Sequence, residues 1–435
     1  MQNLVAIVGR PNVGKSTLFN RLTETRDAIT DPTSGTTRDR KYGHALWTEK
    51  AFTVIDTGGW ITKSDDKFEA AIRSQVQLSV EEADLIVFMV DVQTGVTDLD
   101  EDIARLLRRS GKPVLLACNK VDTGSHDVGS ADFYTLGLDS QVYTISASSG
   151  FGTGEFLDAL VAELPELPEP EESDVPKIAV IGRPNVGKST LINTLLGKER
   201  NIVTDIAGTT RDSIHTRYNM FGFDFDLVDT AGLRKRKQVE DQLEFYSTLR
   251  TIRSIDESDV CMLLIDAEQG FERQDLHVFW QAVSSYRGVV IVVNKWDLIE
   301  KDHNTMAAYE EKIRERIAPF TDVPIVFTSN VTKQRIIKAF EEALHVNENR
   351  RRHIPTSELN EFILPIVNHQ PPPMFKGKMV RIKYVTQLQS QTPTFAFYCN
   401  LPQYVKDPYK RFLENHLREA YDFSGAALRL FFRKK

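Results

Sequence analysis

Cysteine is scarce in the sequence, and long apolar segments are missing from it. Three cysteines occur among 435 residues, each within a short strand-like apolar stretch (Cys118, Cys261 and Cys399). Their spacing fits neither a disulfide framework nor a metal site, and it favours small core residues in a reduced compartment. Apolar runs such as residues 85–90 stay far below the roughly 18 residues of a membrane helix. No basic stretch precedes the first apolar run, so we expect no secretory signal and a cytoplasmic location.

The composition shows no bias toward disorder. Hydrophobic residues make up 41% of the sequence and charged residues 26%, which is typical of folded domains. A chain of 435 residues corresponds to roughly three domains of about 150 residues each. The composition therefore predicts several globular domains.

One nine-residue segment occurs twice, with the sequence Gly-Arg-Pro-Asn-Val-Gly-Lys-Ser-Thr. Each copy follows a short apolar run and precedes a helical pattern, the context in which G-x-x-x-x-G-K-[ST] binds a nucleoside triphosphate. Its glycines let backbone N–H groups turn toward the phosphates, and the helix N-terminus adds partial positive charge. Lys15 and Lys188 are predicted to reach the β- and γ-phosphates, and Ser16 and Ser189 to ligate Mg²⁺. The two predicted loops are Gly9, Arg10, Pro11, Asn12, Val13, Gly14, Lys15, Ser16 and Thr17, and Gly182, Arg183, Pro184, Asn185, Val186, Gly187, Lys188, Ser189 and Thr190.

Further blocks recur in the same order behind each phosphate loop. A Gly-Thr-Thr-Arg-Asp block, an Asp-Thr-x-Gly block and an Asn-Lys-x-Asp block each occur twice, with an offset that drifts only from 173 to 175 residues. A small drift is expected when loop lengths change and the elements between them do not. The chain therefore holds two copies of one domain. The paired blocks are 34–39 with 207–212, 56–59 with 229–232, and 119–122 with 294–297.

Strand-like apolar runs alternate with helical patterns within each copy. This alternation predicts a mostly parallel sheet with helices on both faces, whose ligands bind at the carboxyl ends of the strands. The predicted fold class is α/β, with two tandem phosphate-loop domains and a small α+β domain after them. The predicted bounds are 1–163 for the first domain, 164–175 for a linker, 176–349 for the second domain and 350–435 for a basic C-terminal domain.

The Asp-Thr-x-Gly blocks supply groups that the phosphate loop lacks. Asp56 and Asp229 follow apolar strands and are placed to hold the Mg²⁺ shell, as the acidic residue after the second strand does in phosphate-loop enzymes. Gly59 and Gly232 offer a backbone N–H where a γ-phosphate would lie. The other residues of these blocks predicted to bind nucleotide are Thr57, Gly58, Thr230 and Ala231.

The Gly-Thr-Thr blocks are predicted switch segments. A threonine from each could complete Mg²⁺ coordination only while the γ-phosphate is present, so the segment would be ordered by the triphosphate and released on hydrolysis. We favour Thr37 over Thr36, and Thr210 over Thr209, for this role. The predicted catalytic residues are Lys15, Thr37, Gly59, Lys188, Thr210 and Gly232.

The Asn-Lys-x-Asp blocks are predicted to select the base. A carboxylate accepts from two adjacent donors, and guanine offers N1–H and N2–H₂ where adenine cannot, so Asp122 and Asp297 favour GTP over ATP. Asn119 and Asn294 would brace the loops, and Lys120 and Lys295 can lie along the base.

A short motif recurs last in each copy, where Ser146-Ala147 matches Ser329-Asn330. Alanine can offer its backbone N–H to the guanine oxygen; asparagine keeps that N–H but adds bulk, so the second site departs from the first at this base contact.

This ordered set of motifs resembles GTPases of the translation-factor-related class. Two such domains followed by a small C-terminal domain resemble the EngA family, also called Der. The resemblance implies a bacterial GTPase that acts in assembly of the large ribosomal subunit. Its implied partners are that subunit and its rRNA, with ribosome association in one nucleotide state and a monomeric chain.

The position that carries a catalytic glutamine in Ras-type GTPases is apolar in both copies, as Trp60 and Leu233. An apolar side chain cannot orient water, so another group must supply the catalysis. In related GTPases an asparagine within the phosphate loop helps to bind K⁺ where an arginine finger would stand. The resemblance therefore implies K⁺ binding by Asn12 and Asn185; the alternative is that Asn12 only hydrogen-bonds its own loop.

Two charged segments lie between the motifs. From Pro165 to Pro176 the chain carries four prolines and five acidic residues, which favours an extended linker that is either a hinge or a passive tether. Four basic residues follow the second Asp-Thr-x-Gly block, at 234–237. They form either a solvated loop or a mobile loop that faces RNA.

The charge changes sign near residue 350. Residues 350–435 hold 15 basic and 6 acidic residues, giving +9, while the first 349 residues hold 39 and 55, giving −16. Such asymmetry predicts a polyanion partner for the tail.

The pattern of apolar and turn residues in the tail predicts the order α-β-β-α-β. In the first strand, Val380, Ile382 and Tyr384 alternate with basic residues. The order resembles a KH-like RNA-binding domain, but the Gly-x-x-Gly clamp of KH domains is missing. The predicted RNA-binding residues are Arg381, Lys383, Arg429, Arg433, Lys434 and Lys435; docking on a phosphate-loop domain is the compatible alternative.

Two other functions remain open at this point. One is a scaffold that binds GTP but hydrolyses little, although both copies carry the full set of Mg²⁺ and guanine motifs. The other is a GTPase serving tRNA modification or membrane traffic, which no cysteine-bearing catalytic segment or amphipathic membrane helix supports.

Overall fold

The computed structural model divides the residues that it describes between two units. The described residues up to 166 belong to the first unit, and those from 175 onward belong to the second. No helix in the described part is long and apolar enough to cross a membrane. The described residues are 3–23, 42–48, 50–57, 76–77, 80, 83–121, 131–138, 141–166, 175–196, 205–206, 215–220, 222–228, 251–300, 302–374 and 377–434.

A six-stranded sheet in the order β2-β3-β1-β4-β5-β6 forms the centre of the first unit. All neighbouring strands are parallel except β2 and β3. The strands are β1 (Asn3–Val8), β2 (Tyr42–Trp47), β3 (Lys50–Asp56), β4 (Leu85–Asp91), β5 (Val114–Asn119) and β6 (Val142–Thr144). The helices are α1 (Lys15–Thr23), α2 (Asp98–Ser110) and α3 (Thr153–Glu163), with a 3₁₀ turn at Ala131–Leu136.

Apolar side chains cover both faces of this sheet. Val5 and Ile7 of β1 pack in one cluster with α1 and α3, while Ala6 and Val8 pack in another with α2. Strand β4 is buried along its whole length, as expected for a parallel strand between two helical layers. The predicted fold class is confirmed.

The second unit repeats this architecture in a seven-stranded sheet, in the order β13-β12-β11-β7-β10-β9-β8. The first five strands in this order, from β13 to β10, are parallel to their neighbours. The last two, β9 and β8, are joined by antiparallel pairing. The strands are β7 (Lys177–Ile181), β8 (Asp205–Ile206), β9 (His215–Met220), β10 (Phe223–Val228), β11 (Val260–Asp266), β12 (Gly288–Asn294) and β13 (Ile325–Phe327). The helices are α4 (Lys188–Leu196), α5 (Arg273–Ser284), α6 (Thr305–Ile317) and α7 (Ile336–Arg351), with a 3₁₀ turn at Trp296–Leu298 and helical residues at 251–257.

The C-terminal domain has the predicted order α-β-β-α-β. Its sheet has the order β14-β15-β16, antiparallel between β14 and β15 and parallel between β15 and β16. The elements are α8 (Thr356–His369), β14 (Ile382–Leu388), β15 (Thr394–Cys399), a 3₁₀ turn (Pro402–Tyr404), α9 (Asp407–Ala420) and β16 (Arg429–Lys434).

The predicted alternation along β14 is wrong at one point. An irregularity interrupts the register between Ile382 and Tyr384. Ile382 and Val385 are buried in the domain core, whereas the Tyr384 ring stacks on Tyr398 with centroids 4.4 Å apart. The extra residue of a bulge moves the following side chains to the opposite face.

The C-terminal domain docks on the second phosphate-loop domain. The Val289 N–H donates to the Gly425 carbonyl at 2.8 Å, and the Gly425 N–H donates to the Asp322 carbonyl at 2.8 Å. The Arg418 guanidinium lies 4.5 Å from the centroid of Phe320. Gly425 has a φ of +71°, and an added Cβ would lie 2.5 Å from a methyl of Val346, so only glycine fits this contact. The docking alternative considered above is therefore realised within this unit.

Candidate functional site

The first phosphate loop holds its lysine in a buried position. Lys15 is 5% exposed, and its Nζ donates to the carbonyls of Gly9 at 2.8 Å and Arg10 at 2.7 Å. Burial lowers the pKa of Lys15 to about 8, and the nearby Asp56 carboxylate opposes that shift. A phosphate beside the ammonium would favour its charged form and raise its pKa again.

Two predicted Mg²⁺ ligands meet at the carboxyl end of β3. The Ser16 Oγ donates to an Asp56 carboxylate oxygen at 2.5 Å, and the Thr57 hydroxyl donates to the Ile7 carbonyl at 2.8 Å, which ties β3 to β1. The described residues contain no group of three or more His, Cys, Asp or Glu side chains able to hold a metal. A hydroxyl and a single carboxylate fit Mg²⁺, which is usually held by one or two carboxylates together with substrate phosphates.

The base side of the first site is tied to its phosphate loop through Asn119. The Asn119 Nδ2 donates to the Val13 carbonyl at 2.7 Å, and the Asn119 Oδ1 accepts from the Ala147 N–H at 2.8 Å. One side chain thus joins three loops that arrive from different strands. Arg21 adds a further tie, since its Nε donates to the Ala147 carbonyl at 2.7 Å.

The second site repeats the lysine geometry. The Lys188 Nζ donates to the carbonyls of Gly182 and Arg183, both at 2.6 Å, and the Asn294 Nδ2 donates to the Val186 carbonyl at 2.8 Å. The Asp297 Oδ1 is buried and has no hydrogen-bond partner in the described part of the chain. A buried acceptor without a partner is costly, and the N–H donors of guanine would satisfy it.

The lysines of the Asn-Lys-x-Asp blocks form ion pairs that the sequence analysis missed. The Lys120 Nζ lies 2.6 Å from an Asp91 carboxylate oxygen, and the Lys295 Nζ lies 2.6 Å from Asp266. Each aspartate is the last residue of a parallel strand inside its sheet, β4 or β11. The pairs hold the aliphatic stems of both lysines at the base side of their sites.

The phosphate-loop arginines are also anchored by residues that were not predicted. The Arg183 Nε lies 2.9 Å from Asp275, and its Nη1 lies 2.8 Å from Glu272; Asp275 is fully buried, and burial raises its pKa. In the first domain the Arg10 Nε lies 3.2 Å from Asp100. The internal repeat could have identified these aspartates from sequence. Asp91 and Asp100 recur as Asp266 and Asp275 at an offset of 175 residues, the same offset as that of the Asn-Lys-x-Asp blocks.

The two loop asparagines proposed for K⁺ share an unusual backbone conformation. Asn12 has a φ of +66° and Asn185 a φ of +65°, a left-handed geometry that few non-glycine residues adopt. Both residues are exposed. Neither side chain has a hydrogen-bond partner among residues that the structure describes, so nothing there shows Asn12 bonding to its own loop.

Several predicted residues lie outside the described residues and stay predictions. In the first copy they are Thr37, Gly58, Gly59, Trp60 and Asp122, and in the second they are Thr210, Asp229, Thr230, Ala231, Gly232 and Leu233. The basic run 234–237, linker residues 167–174 and Lys435 are outside as well.

The basic residues of the C-terminal domain fall into two groups. Ile382 pairs with Cys399, and Cys399 pairs with Lys434, so this row marks one end of the three-stranded sheet. The basic residues at this end are Arg381, Lys383, Arg433 and Lys434, all of them exposed.

Arg429 lies at the opposite end of that sheet. It pairs with Thr394, and its guanidinium lies 4.9 Å from the ring centroid of Tyr286 in the second phosphate-loop domain. It is half-buried. Arg429 therefore takes part in docking and is separate from the group of four basic residues.

Family models match most of the sequence, in three segments. The model described as "50S ribosome-binding GTPase" matches residues 4–120 and again residues 177–295. The model described as "KH-domain-like of EngA bacterial GTPase enzymes, C-terminal" matches residues 353–433. These three segments lie within the two phosphate-loop domains and the docked C-terminal domain.

Full-length relatives agree with the family models. GTPase Der of Christiangramia forsetii is 57% identical over 435 residues, covering 100% of both chains. GTPase Der of Flavobacterium johnsoniae is 56% identical, covering 100% of this chain and 99% of its own. A solved structure of Aquifex aeolicus Era bound to GDP and AlF₄⁻ is 21% identical, covers 79% of this chain and 100% of that chain, and has a TM-score of 0.32.

Proposed function

Since the chain belongs to the Der (EngA) family of GTPases, we propose that its two nucleotide sites control binding of its basic domain to the large ribosomal subunit during assembly of that subunit. The chain binds guanine nucleotide and hydrolyses GTP, as its family does. The role in assembly, the rRNA partner and the nucleotide dependence are proposals. We assign residues 1–163 and 176–349 to the two G domains, residues 164–175 to the linker and residues 350–435 to the KH-like domain.

The observation that carries this proposal is the position of β12 in the second G domain. At its start, Val289 donates a hydrogen bond to Gly425 of the KH-like domain. At its end, Asn294 donates to the phosphate loop, and Asp297 follows three residues later. One strand thus connects the docking contact with the base side of the nucleotide site. A displacement at one end of this strand would therefore be transmitted to the other end.

The residues of each site divide the chemistry of hydrolysis among them. We assign to Lys15 and Lys188 the neutralisation of charge on the β- and γ-phosphate oxygens, which Gly59 and Gly232 support through their backbone N–H groups. Bound Mg²⁺ would supply further neutralisation of phosphate charge. We assign its ligation to Ser16, Thr37 and Asp56 in the first site and to Ser189, Thr210 and Asp229 in the second.

We assign K⁺ binding to Asn12 and Asn185, whose amide oxygens are free to coordinate a cation. GTP turnover is expected to be about tenfold or more higher in K⁺ than in Na⁺ at equal ionic strength, because a cation at the phosphates stabilises developing charge. Replacing both asparagines with alanine should remove most of this preference. Equal turnover of the parent protein in the two buffers would contradict the assignment.

The four exposed basic residues at one end of the KH-like sheet are proposed to contact rRNA phosphates. Phosphate contacts make affinity strongly dependent on salt. The test is cosedimentation of the full chain with purified ribosomal subunits, in GDP or in a non-hydrolysable GTP analogue, at low and moderate salt. We expect binding to the large subunit in the triphosphate state, weakened by salt.

A matched pair of variants makes this test specific. Changing Arg381, Lys383, Arg433 and Lys434 to glutamine together should reduce both binding and its salt dependence. Lys312→Gln, at an exposed lysine of α6, should change neither. A protein that binds no subunit in any nucleotide state at low salt would contradict the proposed function.

A further inference from the structure

The two nucleotide sites differ at the residue that follows the serine of the last motif. In the first site this residue is Ala147, whose N–H donates to Asn119 at 2.8 Å. In the second site it is Asn330. Its side chain makes a contact that alanine cannot make.

Asn330 ties the base loop of the second site directly to the phosphate loop. Its Nδ2 donates to the Gly187 carbonyl at 3.0 Å, next to the Val186 carbonyl that accepts from Asn294 at 2.8 Å. Two amides therefore hold two successive carbonyls of one phosphate loop. The Gly187 carbonyl also accepts the Leu191 N–H at 2.9 Å, the first backbone bond of α4.

In the described part of the first site, no side chain makes the second of these ties. The Gly14 carbonyl, which corresponds to that of Gly187, accepts the Leu18 N–H at 3.0 Å and has no side-chain donor among the described residues. Among the residues that the structure describes, Asn119 is the only base-side residue whose side chain donates to a backbone carbonyl of this loop, at Val13. The two sites therefore hold their phosphate loops with different numbers of cross-loop bonds.

The packing around Asn330 is tight. Asn330 is 7% exposed, and a Cβ added to Gly187 would lie 3.0 Å from its Nδ2 and 2.3 Å from the Nδ2 of Asn294. Gly187 has a φ of +99°, so glycine is needed there for both conformation and space. The loops can approach one another this closely only because no side chain separates them.

The same amide also carries a cost. The Asn330 Oδ1 is buried and has no hydrogen-bond partner in the described part of the chain. A buried polar atom without a partner lowers stability, and such atoms in native structures call for a functional explanation. An alanine, as in the first site, would avoid this cost, which favours a role in nucleotide binding over one in folding.

We propose that Asn330 is a positioning residue that clamps the base loop to the phosphate loop and slows nucleotide release from the second site. The proposal rests on the nucleotide-binding roles assigned above. For the base to leave, the loop that contacts it must separate from the rest of the site. A bond between Asn330 and Gly187 resists that separation, and the described residues of the first site form no counterpart to it.

The test measures dissociation of fluorescent mant-GDP from the full chain, chased with excess GDP. In a Lys15→Ala background, which weakens the first site, Asn330→Ala should speed release about 5-fold, the factor for one neutral hydrogen bond. Asn330→Asp has nearly the same size but cannot donate to a carbonyl, so release should be at least as fast. The converse change, Ala147→Asn in a Lys188→Ala background, should slow release from the first site.

Slower release from the Ala147→Asn protein is a result that a purely structural role for Asn330 does not predict. Release from Asn330→Asp at the parental rate would overturn the clamp even if Asn330→Ala failed to fold. If the Lys15→Ala protein bound no mant-GDP although it was folded, the assigned second site would be wrong, and the clamp with it. If the Lys15→Ala protein bound mant-GDP but the Asn330 substitutions left its release rate unchanged, the clamp alone would be overturned and the assigned site would stand.

Discussion

Replacing Lys188 with alanine is expected to lower single-turnover GTP hydrolysis at the second site by about 100- to 1,000-fold, the range for losing one preorganised group that stabilises transition-state charge. Its Nζ lies 2.6 Å from two carbonyls of the phosphate loop, so the loop fixes its position before nucleotide binds. The measurement uses the full chain with Lys15→Ala, so that the second site accounts for most of the hydrolysis.

Lys312→Ala is the matched control for this change, because that lysine is exposed on α6 of the same domain and is remote in sequence from every nucleotide motif. It should leave the rate unchanged. A Lys188→Ala protein that hydrolysed GTP within about threefold of its parent, a difference of under 1 kcal/mol, would show that the lysine does not act on the phosphates.

Asp297→Asn is expected to weaken GTP binding at the second site by about 100-fold, because two charge-assisted hydrogen bonds to guanine are lost. The same change should improve binding of xanthosine triphosphate. Xanthine carries an oxygen where guanine carries its exocyclic amine, and the asparagine amide can donate to that oxygen. Competition of both nucleotides against mant-GDP in the Lys15→Ala background measures the switch.

The structural basis for this prediction is the buried Asp297 Oδ1, which has no partner among the residues described. Glu300→Gln removes an exposed carboxylate three positions further on and should leave both affinities unchanged. If Asp297→Asn kept the parental preference for GTP over the xanthine nucleotide, the base would be read by another residue.

The sequence predicted the features that depend on local pattern. The repeated nine-residue segment places Lys15 and Lys188 in the same geometry. The Nζ of each lysine donates hydrogen bonds to the two carbonyls at the start of its loop. The strands were recognised from their apolar runs, as β4 and β11 show. The order of elements in the KH-like domain was also correct, because turn residues separate its helices and strands clearly.

Features that depend on contacts between distant segments were not predicted. Nothing in the sequence near Gly425 shows that it meets Val289, 136 residues earlier. The antiparallel strands β2 and β9 were missed because β2 (Tyr-Gly-His-Ala-Leu-Trp) and β9 (His-Thr-Arg-Tyr-Asn-Met) lack a clear apolar run. The bulge in β14 inverted the expected facing of Tyr384, since one extra residue reverses the alternation.

The asparagine of the last motif shows how structure changed an interpretation. From sequence, Asn330 adds bulk at the position that carries alanine in the first copy, and so marks a departure in the base contact. In the structure its side chain is directed to the Gly187 carbonyl. The bulk is thus accommodated in a contact with the phosphate loop, and the expectation becomes slower nucleotide release.

The most direct test of the account is the number of guanine nucleotides bound by each full-length chain, measured by equilibrium dialysis with labelled GDP and Mg²⁺. The account predicts saturation at two per chain for the parent protein. Over the concentration range in which the parent saturates, it predicts saturation at one per chain for Lys15→Ala and for Lys188→Ala. A parent protein that saturated at one nucleotide per chain would contradict the claim that both copies are complete nucleotide sites.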